Sequence, residues 1–166
     1  MTTVSGVDVR PATGDDVDAV TDMWVALADE QRAHGSHLLA AENRSRARDL
    51  IAQYVHADCV AVATRGSVLV GFVMFHDETG FYGTDATRGV VDNLYVRPDQ
   101  RGDGVGSALL DHAEDALRER GVDVLAVEAL AANEAARRLY ESRGYATHRV
   151  TLERSAESDT HSKDDA

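Results

Sequence analysis

The run "GVVDNLYVRPDQRGDGVGSALLDHAEDAL", from Gly89 to Leu117, constrains the fold more than any other part of this chain. Its first eight residues are a β-branched, mostly apolar strand, halted by Arg97-Pro98. At its far end Val105, Leu109, Ala113, Ala116 and Leu117 recur at helical spacing up to Gly121. Between the two lies "QRGDGVGS", a glycine-rich turn that delivers a strand directly into a helix. Small residues let backbone approach a ligand closely. The first helical turn adds unpaired amides and a positive dipole end. Together they suit an anion such as a pyrophosphate.

Three loop chemistries compete with a plain glycine turn. The Walker pattern requires Gly-Lys-Ser/Thr, and the loop has no lysine. The dinucleotide pattern fails because Leu109 stands where its third glycine belongs, although Asp123 imitates its ribose-binding acid. The pattern R-x-x-G-x-G is satisfied by Arg101, Gly104 and Gly106. Asp103 sits between two glycines, where its carboxylate can point to solvent while its amide points inward.

The remaining chain reads as mixed α and β. A short strand, Val7 to Arg10, is closed by Pro11; Thr13 and Asp16 then open a helix along Val17, Val20, Met23, Trp24 and Leu27, stopped at Gly35. A second helix is predicted from about Glu42 to Tyr54, with Leu50, Ile51 and Tyr54 inward and Arg44, Arg46 and Arg48 on a solvated face. "CVAVATR" and "SVLVGFVMFH" form a hairpin around Arg65-Gly66-Ser67, and "HDETGFYGTD" opens a solvated loop. "DVLAVEAL" reads as a buried strand, and "NEAARRLYESRG" as a helix capped by Asn133 and stopped by Gly144. "YATHRVTLER" is predicted to be a last strand. The domain is expected to span residues 1–154, followed by a disordered acidic tail, 155–166.

Bulk charge narrows the partners. Asp and Glu total 29 against 17 basic residues, of which only Lys163 is lysine, giving a net charge of -12. Nucleic-acid binding wants the opposite balance. An Asp-rich, Lys-poor surface matches the composition of proteins adapted to high salt, where self-repulsion is screened. No apolar run approaches the ~18 residues of a membrane span, and "MTTVSGVDVR" is unlike a secretory signal, so a cytoplasmic protein is expected. Cys59 is the single cysteine and reads as a core residue, which excludes an internal disulfide and a cysteine-based zinc site.

The segment from Gly89 resembles the central motif of the GNAT superfamily of acyl-CoA N-acyltransferases. "VEALAANEAARRLYESRGY" resembles that family's next segment, with Asn133 followed by Tyr140 and the Gly144-Tyr145 pair in register. The resemblance implies an α+β fold: a mixed, mostly antiparallel central sheet flanked by four helices. It implies acetyl-CoA as co-substrate. The backbone of Leu94, Tyr95 and Val96 would pair with the pantetheine arm. Arg101, Gly102, Asp103, Gly104, Val105, Gly106 and Ser107 would cradle the pyrophosphate, and Asn133 would contact the cofactor near its pantetheine. An acid at Asp103 departs from the basic or neutral residue usual in the family and puts low-salt affinity in doubt.

The same resemblance assigns chemistry. Acyl transfer to an amine needs a deprotonated nucleophile, a polarised carbonyl and a donor for the departing thiolate. Tyr140 matches the position whose phenol serves the thiolate. Glu128, five residues before Asn133, matches the proposed base of ribosomal-protein alanine N-acetyltransferases, the nearest group by motif. Asp92 is the other candidate base. An α-amine, with pKa ~7.7–8.0, loses its proton more readily than lysine at ~10.4, by roughly 3.3 kcal/mol at ~1.36 per unit. A protein or peptide α-amine is therefore the leading acceptor, a small-molecule amine the next, and a non-catalytic acyl-CoA-binding module the rival. His34 and His37 belong to a region that lines the acceptor site in relatives, and no metal site is expected. With only one strand after Gly144-Tyr145, the acceptor side is either open or completed by a second subunit.

Overall fold

A computed structural model describes residues 4–157. The described chain runs β1 (Asp8–Pro11), α1 (Val17–Arg32), α2 (Arg44–His56), β2 (Val60–Arg65), β3 (Val68–Asp77), β4 (Arg88–Val96), α3 (Val105–Glu119), β5 (Val124–Val127) and α4 (Glu134–Ser142). The five strands form one sheet in sequence order. Strands β1 to β4 pair antiparallel and β5 joins β4 in parallel. This is the expected mixed, mostly antiparallel sheet with four helices.

Strand alternation sorts the core into two layers. Val60 and Val62 of β2 with Phe72 and Met74 of β3 face α1 and α2, meeting Val20, Met23, Leu27 and Ile51. Their neighbours Ala61, Ala63, Val73 and Phe75 face α3, meeting Val105, Leu109, Leu110, Ala113 and Leu117. Both layers are fully buried, and Cys59 lies in the second. The predicted cap at Thr13 forms: its amide donates to Asp16 Oδ2 at 2.8 Å. Arg10 clasps the same carboxylate and holds its pKa below the usual range.

Three expectations are corrected. Leu50 is 46% exposed, because α2 buries the Ala47–Ile51 line and Leu50 lies a residue off it. The buried strand expected over "DVLAVEAL" reduces to Val124–Val127 and is only partly covered, having β4 on one edge and no strand on the other. No strand forms over "YATHRVTLER": residues 146–154 carry no regular structure and are exposed, Leu152 by 90%. With β5 so short, its outer edge gives that segment little to pair with. Of the predicted tail, residues 158–166 lie outside the described residues.

Candidate active site

A one-residue bulge in β4 creates the site. Met74 pairs with Asn93 but Phe75 pairs with Val91, so Asp92 is the extra residue and drops out of the ladder with β3. On the other side, β4 and β5 pair only from Arg88–Val124 to Val91–Val127. The two strands then part. Beyond this point β4 has no β5 partner, and Asp92, Asn93 and Leu94 line a cleft of about 410 Å³ that opens to solvent. Leu27 and Gln31 of α1 line one wall; Glu128, Asn133 and Tyr140 line the other. The side chains of Tyr95 and Val96 are buried in the core. Leu94 lines the cleft and also packs on the α3 core.

Below the strand edge the glycine turn opens α3. Gly102 and Gly104 adopt φ of +88° and +86°, which L-residues with side chains adopt at a cost. Intrahelical bonding begins with Ala108 N–H to Gly104 O at 3.0 Å. The amides of Val105, Gly106 and Ser107 thus lack an intrahelical acceptor, which is the arrangement an anion requires. Asp103 is exposed, as its position between glycines predicted, and Val105 is buried in the core. The Arg101 guanidinium is engaged elsewhere: Nε donates to Val96 O at 2.8 Å and Nη2 to Glu30 at 2.9 Å, over the Tyr95 ring.

Tyr140 and Asn133 come from α4. Asn133 Oδ1 accepts from Ala136 N–H at 3.1 Å, so the predicted N-cap also faces the cleft. Tyr140 is 9% exposed, and burial pushes its phenol up to about 12. Its ring meets Tyr145 edge-on, with centroids 6.0 Å apart. α4 is fixed to α3 by Arg143, which donates to Asp111 at 2.5 Å and to the buried Glu114 at 3.0 Å. Burial works against that guanidinium's charge, but the two carboxylates outweigh it and raise its pKa.

The two candidate bases differ. Glu128 is exposed and follows the end of β5, rather than standing on a buried strand as expected. Asp92 is half-buried and bound by His76 Nδ1 at 2.6 Å. His76 carries no signal of this role in the sequence, and its neighbour Tyr54 is expected there only as an inward residue of α2. Alternation along "VMFH" places His76 on the α1/α2 side with Phe72 and Met74, but nothing local marks the bulge that brings Asp92 to it. His37 turns instead to Glu153, at 2.9 Å, and neither His34 nor His37 lines the cleft.

Comparisons with known proteins agree with this geometry. Residues 19–145 match the Acetyltransferase (GNAT) family. The chain belongs to the GNAT acetyltransferase family. A curated relative, the [ribosomal protein bS18]-alanine N-acetyltransferase of Escherichia coli (strain K12), is 31% identical over 149 residues, covering 88% of both chains. A GCN5-related N-acetyltransferase from Ralstonia eutropha JMP134 superimposes with a TM-score of 0.73 at 24% identity, over 92% of this chain and all of that one. An aminoglycoside N-acetyltransferase solved with CoA superimposes at 0.71 with 16% identity, over 90% of this chain and 95% of that one. This GNAT protein is an N-acetyltransferase, and among its described residues no helix is long and apolar enough to cross a membrane.

Proposed function

We propose that this GNAT enzyme transfers an acetyl group from acetyl-CoA to the α-amine of a protein or peptide, by direct attack in a ternary complex. The parting of β4 from β5 carries the reading, since it leaves a strand edge beside the first turn of α3, where Gly106 lies against Leu94 and Val96. The strand edge Leu94–Val96 suits the amides of a pantetheine arm. The amides from Gly102 to Ser107 suit a pyrophosphate, each charge-assisted bond contributing ~1.5–3 kcal/mol. Acetyl-CoA supplies the acyl group already activated as a thioester.

This chain's residues do the rest. Asp92 and Glu128 line the cleft and draw in the cationic acceptor, then take its proton, directly or through water. Tyr140 faces them and holds its own proton at all working pH values, ready for the departing sulfur. Carboxylates manage an α-amine more easily than a lysine, by the ~3.3 kcal/mol separating their acidities. The E. coli relative is named for an alanine of a ribosomal protein, which supports a polypeptide acceptor.

The test is an acceptor panel with acetyl-CoA, read by thiol release: a peptide with N-terminal alanine, a polyamine, an aminoglycoside and free amino acids. The peptide should give the highest kcat/KM. A higher value for a small amine would overturn the acceptor class. Saturable acetyl-CoA binding without thiol release from any amine would make the protein a binding module.

A further inference from the structure

Asp92 is the cleft carboxylate that stands within β4 but outside its ladder with β3. As the extra residue of the β4 bulge it lacks a ladder partner on β3, so side-chain contacts must set its direction. His76 supplies the direct one, and Tyr54 packs behind it. His76, at the end of β3, places Nδ1 2.6 Å from Asp92 Oδ2. Tyr54, from α2, puts its hydroxyl 3.4 Å from the same ring nitrogen and meets the ring edge-on at 6.1 Å. Burial, then the nearby Asp92 charge and its hydrogen bond, push the Tyr54 phenol up to about 12, so it stays a donor beside the carboxylate.

An ionised carboxylate only accepts, so the short contact places a proton on Nδ1 and makes His76 the donor. We propose that His76 is a positioning residue for acetyl transfer: it holds the bulged Asp92 carboxylate in the cleft wall, aimed at the acceptor's ammonium group, while Tyr54 packs edge-on against the His76 ring. The inference rests on the acceptor binding beside Asp92 and Glu128. A carboxylate has about four acceptor sites, so the one donor from His76 leaves room for an ammonium N–H. His76 itself does not line the cleft. Its effect falls on the acceptor alone, because the pantetheine edge and the glycine turn lie farther along β4 and at α3.

Acceptor and acetyl-CoA kinetics of H76L and H76N separate this role from simple packing. H76L removes the donor and should raise the acceptor KM about tenfold, the equivalent of one charge-assisted bond, with the acetyl-CoA KM within twofold. H76N carries an amide N–H near the Nδ1 position and should restore the acceptor KM to within threefold of the native value. Independently of turnover, ring-nitrogen NMR should show Nδ1 protonated in the native protein and that preference lost in D92A. Addition of alaninamide should move the His76 ring signals in the native protein and not in D92A. Equal damage from H76L and H76N, an acetyl-CoA KM rising in step, or a ring signal indifferent to D92A would each overturn the proposal. If no amine is acetylated, the proposed activity fails, and the NMR comparison still decides the His76–Asp92 link.

Discussion

Tyr140→Phe removes one oxygen and keeps the ring packed edge-on against Tyr145. The size of its effect follows from acidity. A thiol ionises near ~8.5, whereas burial holds Tyr140 at about 12. Full transfer of its proton to the leaving sulfur is therefore uphill by ~3.5 units, or ~4.8 kcal/mol. What Tyr140 can give without that cost is a hydrogen bond to the charge developing on sulfur. The proton follows only as the acceptor nitrogen releases its own. Losing one such donor costs ~2.7–4 kcal/mol, a fall of ~10²–10³ in kcat. Thiol release at saturating acetyl-CoA and acceptor should show that fall, with the acetyl-CoA KM within twofold and the melting temperature held. Because the phenol keeps its proton well above neutrality, neither protein should show an alkaline limb from this group between pH 7 and 10. A kcat within threefold of native, or an acetyl-CoA KM that rises as much as kcat falls, would refute the assignment.

Gly104→Ala forces a side chain into φ +86°, costing roughly 1–2 kcal/mol of backbone strain, since the added Cβ meets Val4 only at an ordinary 3.6 Å. Calorimetry should show weaker CoA binding, while kcat at saturation is retained. Asp103→Asn should tighten acetyl-CoA binding up to ~5-fold at low salt, and the gap should close near ~1 M, where the screening length falls to ~3 Å. Alkali should unfold the protein between pH 10 and 12: Tyr54, Tyr140 and Tyr145 are all raised by burial to about 12, so the unfolded chain ionises first. That stability is complete below pH 10 and lost as pH rises through 12, Tyr140 alone accounting for ~2.7 kcal/mol. Phenolate absorbance and circular dichroism followed together would check it.

Much of this was legible in the sequence because the cues are local. The β-branched apolar runs "CVAVATR" and "SVLVGFVMFH", the helical stripe from Val105 and the stops at Gly121 and Gly144 mark the elements in order. Asn133 and Tyr140 were picked out by the resemblance to the GNAT segment, and both line the cleft. What was hidden depends on distant partners. The bulge at Asp92 comes from its register with β3, and the early end of β5 from its parting from β4. Alternation in "YATHRVTLER" signals a strand, yet a strand needs an edge to join, and a four-residue β5 supplies little. The contacts of His76 with Asp92 and of Arg143 with Glu114 cross 16 and 29 residues of sequence, beyond any local pattern.

By parting at Val91 and Val127, this sheet is left one guest short of complete. A donor molecule lying along Leu94–Val96 would finish the ladder from outside, so its binding would count toward folding as well as turnover. At 100 times its Kd such a guest adds ~2.7 kcal/mol to the native state. The protein's resistance to heat and proteolysis would then rise and fall with the supply of its own reactant.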